Sequence, residues 1–160
     1  MIVVLDTSVI SAFVKIGKLD LLRKLLEKNR VLIPDTVFRE IIHEEALDAL
    51  AFSEEELNNK GKWILVEQVD ISDVKNNLGY GEKGTIKLAK SRDAVAVIDD
   101  SNARKNALEY GLKITGTLGL LCSALEEQII SRSELKRILN DLRIKDDFRI
   151  SEGLMKNMLK

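Results

Sequence analysis

The chain has 160 residues with a formal net charge of −1 at pH 7, and 45% of its residues are hydrophobic, so one globular domain with a real core is expected. The overall charge does not support nucleic-acid binding, which would need a local basic patch or a bound metal. The single cysteine, Cys122, excludes an internal disulfide, and the single histidine, His43, excludes a histidine-rich zinc site.

Apolar runs and apolar residues at helical spacing alternate along the chain, which predicts strands that alternate with helices. Five strands are predicted, at residues 2–5, 31–33, 63–69, 94–98 and 112–115. Helices are predicted at residues 9–14, 19–26, from 35 onward, 81–91, 101–110, 118–128, 133–142 and 151–159. Asp35 or Thr36 is expected to cap the third helix, and Ser133 the seventh. Near-continuous apolar strands of this kind predict an α/β fold, a parallel sheet with helices on both faces.

No stretch approaches the roughly 20 apolar residues that a membrane span needs. The apolar start is too short for a signal peptide and contains Asp6. A cytoplasmic protein that does not contact the membrane is therefore expected.

Acidic residues stand at the ends of predicted strands and near the starts of predicted helices. Asp6 follows the first strand, and Asp99 and Asp100 follow the fourth. Glu40 lies in the helix VFREII, and Glu82 opens the helix in GYGEKG. Ligands of parallel sheets bind beyond the carboxyl ends of the strands. Several carboxylates at one point repel one another unless a cation or a shared proton is present, so a divalent metal site is predicted.

Each acid also has a structural explanation. The residues after Asp6 could cap the first helix, Glu40 could lie on a solvated face within the acidic run 40–56, and Glu82 favours the dipole of its own helix. Basic residues are in excess over residues 131–160, and Arg104 and Lys105 follow the fourth strand. These could bind phosphates or be solvated helix faces.

The segment GYGEKG matches the dinucleotide-binding pattern GxGxxG at Gly79, Gly81 and Gly84, with Asp99 about 20 residues further on. That pattern should directly follow a strand. Residues 74–78 make a poor strand, however, and the preceding good strand ends near Val69. The dinucleotide interpretation is therefore disfavoured.

Five segments together resemble a PIN domain, the fold of many metal-dependent ribonucleases and of VapC-type toxins. They are VVLDTSVI, PDTVFREI, LGYGEKGTIKLA, AVAVIDDSNAR and GLKITGTLGLL. The GTLG segment resembles a subgroup of prokaryotic PIN-like proteins. The resemblance implies a three-layer α/β/α sandwich, with a PIN-like domain at residues 1–128 and a C-terminal helical extension of the same domain at residues 129–160.

The resemblance also assigns roles to individual residues. The catalytic acids of the family map in order onto Asp6, Glu40, Glu82 and Asp99. The metal ligands implied are Asp6, Glu40 and Asp99, with Asp100 as the alternative to Asp99. The third acid is a glutamate where the family more often has an aspartate. The residues implied to contact water or substrate phosphate are Ser8, Arg104 and Thr117.

The function implied by the resemblance is an endoribonuclease that uses Mg²⁺ or Mn²⁺ to hydrolyse RNA phosphodiester bonds. It would act as a VapC-type toxin with an antitoxin protein as its partner, or as an RNA-processing enzyme, and a homodimer is expected. The alternative is a non-catalytic module that binds RNA or a protein and uses the acids as helix caps. A phosphatase or nucleotide-binding enzyme on a similar sheet is a third interpretation.

Overall fold

A computed structural model of the chain describes residues 1–43, 63–74 and 77–160, including the backbone but not the side chain of His43. Five strands form one sheet: β1 (Ile2–Leu5), β2 (Arg30–Pro34), β3 (Ile64–Glu67), β4 (Val95–Val97) and β5 (Ile114–Thr115). Their order across the sheet is β3-β2-β1-β4-β5, and every neighbouring pair is parallel. β1 therefore lies at the centre, where its four apolar residues are covered on both faces.

Eight helices are present in the described part of the chain. They are α1 (Thr7–Lys15), α2 (Leu19–Leu26), α3 (Asp35–His43), α4 (Tyr80–Arg92), α5 (Ser101–Glu109), α6 (Thr117–Glu126), α7 (Arg132–Lys145) and α8 (Glu152–Met158). None of these described helices has the length and apolar character that crossing a membrane requires.

The helices form two layers because successive strand residues point to opposite faces of the sheet. Val3 and Leu5 belong to the larger core, which the helices α1, α2, α3, α6, α7 and α8 cover. Val4 belongs to the smaller core on the other face, under α4 and α5. The predicted three-layer α/β/α fold with a five-stranded parallel sheet is confirmed.

The C-terminal helices pack on the same core as α1. Leu135, Ile138, Leu139 and Leu142 are buried on α7, and their spacing makes one apolar stripe along the helix. Met158 of α8 is buried in the same cluster. Residues 132–158 thus cover the sheet rather than forming a separate hydrophobic core.

The predicted caps of two helices, α3 and α7, were wrong. Ser131, not Ser133, caps α7: its hydroxyl accepts the N–H of Glu134, and Glu134 accepts the N–H of Ser131. That reciprocal pair requires a Glu three residues after the Ser. Ser131 has one, whereas Ser133 is followed at that distance by Lys136. Thr36 does not cap α3, because its buried hydroxyl has no hydrogen-bond partner within the described ranges. The carboxylate of Asp35 instead accepts the N–H of Val69 at 3.1 Å.

Two predicted features fall partly outside the described residues. Of the acidic run 40–56, residues 44–56 lie outside them, and of the weak strand pattern 74–78, residues 75 and 76 do.

Candidate active site

Asp6 lies where β1 passes into α1, at the carboxyl edge of the sheet. Its backbone N–H donates to the carbonyl of Val97 at 3.1 Å, which ties this end of β1 to β4. Only 3% of Asp6 is exposed. The hydroxyl of Ser8 donates to one carboxylate oxygen at 3.3 Å, and the hydroxyl of Thr85, which donates to the carbonyl of Gly81 at 2.9 Å, lies 3.3 Å from the other. In the described part of the chain, no lysine or arginine pairs with Asp6.

Burial is the main reason that the pKa of Asp6 rises from its ordinary value of 3.8 to about 7. The carboxylates of Glu82 and Glu40 raise it further, while the backbone N–H of Thr7 and the hydroxyl of Ser8 lower it. A carboxylate in this setting is charged at neutral pH only at a free-energy cost, which a proton or a nearby cation removes. The electrostatics therefore favour a cation beside Asp6.

Glu40 projects from α3 and is held by groups far away in the sequence. One carboxylate oxygen accepts the hydroxyl of Thr7 at 2.6 Å, and the other accepts the backbone N–H of Gly81 at 2.8 Å. These charge-assisted bonds fix the carboxylate between α1 and α4. Glu40 is therefore not an acid on a solvated helix face, which was the structural explanation considered for it.

The glycines of GYGEKG serve close packing. A Cβ on Gly81 would lie 2.7 Å from the carboxylate carbon of Glu40. A Cβ on Gly84 would lie 3.0 Å from the Cβ of Pro34 and closer still to the hydroxyl of Thr36. Both glycines thus let α4 approach α3 and the end of β2, and the match to GxGxxG needs no nucleotide to explain it.

The substitution Gly81→Ala is expected to destabilise the protein by about 1–3 kcal/mol, since the added methyl group would push the Glu40 carboxylate away from its hydrogen bonds with Thr7 and with the N–H of Gly81. Chemical denaturation would measure the loss. Gly153→Ala is the matched control, because Gly153 lies in α8 with open space around it. There alanine is expected to be neutral or to stabilise by up to about 1 kcal/mol. Equal effects of the two substitutions would contradict this account of Gly81.

Glu82 has both roles considered from the sequence. It is the third residue of α4, and its carboxylate accepts the N–H of Gly79, the N-cap residue, at 3.1 Å. Its pKa is raised, mainly by burial and then by the nearby carboxylates of Asp100 and Glu40. Glu82 therefore stabilises the start of α4 and also adds negative charge beside Glu40.

Asp99 and Asp100 make separate contacts. Asp99 accepts the backbone N–H of Thr117 at 2.7 Å and its hydroxyl at 2.6 Å. Asp100 caps α5 by accepting the N–H of Ala103 at 2.8 Å. Burial raises the pKa of Asp99 despite the bonds from Thr117 and the nearby Arg104, and the carboxylate of Asp146 raises it further.

An open pocket of about 430 Å³ lies at the end of β1. Of the residues singled out from the sequence, it is lined by Asp6, Ser8, Glu40 and Glu82. The other four do not line it; they are Asp99, Asp100, Arg104 and Thr117. Arg104 instead donates to the carbonyl of Ile98 at 2.8 Å. The structure thus brings three of the predicted acids to one pocket and keeps the Asp99–Thr117 pair beside it.

The pocket also contains residues that the sequence analysis missed. Ser11 and Lys15 of α1 line it, as does Asp146, which follows α7. The spacing of Ser8, Ser11 and Lys15 along a mostly buried helix is a signal that could have been used. Asp146 has no such local signal, because it reaches the pocket only through the packing of α7.

The pocket offers carboxylate oxygens to a divalent metal ion, but no complete set of protein ligands among the described residues. Among the residues that the structure describes, no three Asp, Glu, His or Cys side chains are grouped to hold a metal ion. Glu40 already uses both carboxylate oxygens. Carboxylate oxygens nevertheless suit Mg²⁺ and Mn²⁺, and Mg²⁺ commonly uses one or two protein carboxylates and keeps several waters. The chemistry of Asp6 and Glu82 fits such a hydrated ion but not an all-protein cage.

Comparisons with known proteins agree with the architecture. A family model described as a PIN domain matches residues 2–160. A solved structure of a PilT N-terminus domain protein from the hyperthermophilic archaeon Sulfolobus solfataricus superposes with a TM-score of 0.58. The aligned part is 19% identical and covers 79% of this chain and 95% of the archaeal chain. The comparison with curated proteins finds no match.

Proposed function

We propose that this chain, which belongs to the PIN domain family, is a divalent-metal-dependent endoribonuclease. Proteins of this family are generally nucleases. The observation that supports the proposal best is Asp6: a buried carboxylate at the carboxyl edge of the sheet, beside two other acids, with a pKa near neutrality. Such a group has a strong electrostatic reason to bind a cation.

In this proposal Asp6 and Glu82 would hold the metal through carboxylate oxygens. Asp99 does not line the pocket, and its carboxylate is linked to it electrostatically through Asp146. Bound Mg²⁺ or Mn²⁺ would stabilise charge on the phosphoryl oxygens and make an attacking water more acidic. Glu40 positions the site, because its two hydrogen bonds join Thr7 of α1 to Gly81 of α4.

The three residues that the resemblance implied as contacts of water or phosphate, Ser8, Thr117 and Arg104, have different surroundings. Ser8 lines the pocket and donates to Asp6, so it can orient the carboxylate or, by rotating, a water or phosphate oxygen. Thr117 is buried and bonded to Asp99, which makes it a support for that acid rather than a substrate contact. Arg104 is likewise directed at the backbone of Ile98.

Purified protein incubated with single-stranded and structured RNA tests the proposal. Cleavage is expected with Mg²⁺ or Mn²⁺ and not with chelator, because the one basic side chain among the described residues that line the pocket, Lys15, carries a single charge and is paired with Asp146. Cleavage that continues undiminished in chelator would contradict the metal dependence. Arrest of growth on expression, relieved by a cognate antitoxin, would assign the VapC-type role, and normal growth would favour RNA processing.

A non-catalytic binding module is the second candidate. It is favoured by the full hydrogen bonding of Glu40 and by the absence of a three-ligand metal group in the described ranges. In that case the acids would act as caps and braces, as Glu82 and Asp100 visibly do.

Metal-dependent stability separates the two candidates. If Asp6 binds the ion, Mn²⁺ at about 100 times its dissociation constant should raise the free energy of unfolding by about 2.7 kcal/mol. Thermal unfolding with increasing Mn²⁺ measures the shift, and Asp6→Asn should remove it. A module without a metal site would show the same melting temperature with Mn²⁺ and with chelator.

A further inference from the structure

The acidic pocket has one basic side chain among the described residues that line it, namely Lys15. Lys15 is the last residue of α1, and Ser8 and Ser11 precede it on the same face of the helix. This polar face extends from beside Asp6 to Lys15 over about 10 Å, at 1.5 Å per residue. A cation at the rim of a pocket that holds several carboxylates is well placed to attract an anionic ligand that the acids alone would repel.

Lys15 is paired with a residue from the C-terminal part of the chain. Its Nζ lies 2.9 Å from a carboxylate oxygen of Asp146. The Lys15 side chain is 54% exposed, whereas that of Asp146 is only 13% exposed. The backbone N–H groups of Asp146 and Phe148 both donate to the carbonyl of Leu142, which is buried in the core. Asp146 is therefore the fixed partner and Lys15 the accessible one.

We propose that Lys15 binds a phosphate of the RNA strand next to the phosphate that is cleaved, and that Asp146 positions its ammonium group. The inference rests on the proposed nuclease function. An ammonium group has three N–H donors. One of them faces Asp146, which leaves the others for a phosphate oxygen. The distance along α1 separates this contact from Asp6, so the two residues act on different parts of the strand.

Positioning by Asp146 matters because the pocket contains competing anions. A lysine side chain has several rotatable bonds, and without a fixed partner its ammonium group would be drawn toward Asp6 and Glu82. There it would occupy the space that a divalent cation needs. With Lys15 held at the rim, the metal ion and the ammonium group can each bind a different phosphate. Less conformational entropy is then lost when RNA binds.

Binding of a fluorescently labelled single-stranded RNA, followed by anisotropy over a range of salt concentrations, tests the role of Lys15. All variants carry Asp6→Asn, so that the RNA stays intact. Lys15→Gln is expected to weaken binding about tenfold and to reduce the slope of log affinity against log salt by about 0.7, the value for one single-strand phosphate contact.

Lys28→Gln is the matched control for the loss of one positive charge. Lys28 is exposed and lies just before β2, at the amino edge of the sheet, opposite the pocket. Lys15→Arg, which keeps the charge, should retain most of the affinity. Equal affinities and equal salt slopes for Lys15→Gln and Lys28→Gln would overturn the assignment of Lys15.

A double-mutant cycle tests the role of Asp146. Asp146→Asn should weaken RNA binding when Lys15 is present and have no further effect when Lys15→Gln is also present, since it acts through that side chain. Asp147→Asn is the control, because Asp147 is exposed and has a φ of 50°, which asparagine tolerates. Independent, additive effects of Asp146→Asn and Lys15→Gln would overturn the positioning role.

The assignment of Lys15 and the nuclease function can be rejected separately. Metal-dependent cleavage of RNA by the wild-type protein, together with no effect of Lys15→Gln on RNA binding, would reject only the assignment of Lys15. A clear Lys15 effect on binding, with no metal-dependent cleavage by the wild type, would instead retain the RNA contact and reject the nuclease function.

Discussion

Asp6→Asn is expected to reduce metal-dependent RNA cleavage by about 10²- to 10³-fold, while the protein stays folded. The substitution keeps the shape of the side chain but removes the charge that attracts the cation, and a metal's stabilisation of transition-state charge is worth several kcal/mol. Cleavage rates of labelled RNA under saturating Mg²⁺ or Mn²⁺ measure the effect.

Asp20→Asn is the control for this activity measurement. Asp20 is an exposed residue in the first turn of α2 and does not line the pocket, so its loss changes the net charge without touching the site. Wild-type cleavage by Asp6→Asn would remove Asp6 from the mechanism. A parallel loss in Asp20→Asn would show that general charge, rather than the site, controls the activity.

In chelator, Asp6→Asn is expected to stabilise the protein at pH 8 and to have little effect at pH 4. The folded-state pKa of Asp6, about 7, lies above its ordinary value of 3.8, so between these pH values the folded state binds more protons than the unfolded state. The stability of the wild type therefore falls as pH rises through this window. Above pH 7 the full cost is present, of order 4 kcal/mol at 1.36 kcal/mol per pKa unit.

Asparagine avoids this cost because it has no charge to bury. The hydroxyls of Ser8 and Thr85, which lie 3.3 Å from the carboxylate oxygens of Asp6, can accept as well as donate and so can bond to the new amide. Denaturant unfolding at pH 4, 6 and 8 measures the difference between variant and wild type. A difference that does not change with pH would contradict a raised pKa at Asp6.

Together these two results would show a site whose acid lowers stability in order to bind a cation. Added Mn²⁺ should restore the stability of the wild type at pH 8 and leave Asp6→Asn unchanged. Strained or destabilising groups of this kind are characteristic of functional sites.

Much of the fold could be predicted because its signals are local. Continuous apolar strands between amphipathic helices require a covered parallel sheet, and the structure has five such strands. The boundaries were less accurate. β5 has only two residues, Ile114 and Thr115, and α7 is capped by Ser131, because strand pairing and cap geometry decide where an element ends.

The candidate site was predictable where an acid directly follows a strand. Asp6 lies at the carboxyl edge of the sheet because β1 ends there, and any parallel neighbour brings its own end to the same edge. The separation of Asp99 from the pocket was not predictable, since it depends on the hydrogen bonds that Thr117 donates. Glu40 likewise reaches its place only because Gly81 leaves room for it.

The parallel α/β architecture and the position of Asp6 at the end of a strand follow from local patterns in the sequence, because hydrophobic periodicity and strand direction are properties of neighbouring residues. Which distant groups meet at Asp6 depends on the folded chain. It joined Glu40 to Thr7 and Gly81, gave Asp6 its burial and raised pKa, and brought Asp146 against Lys15. These contacts depend on how helices pack across the sheet, and packing depends on the shapes of side chains from the whole chain.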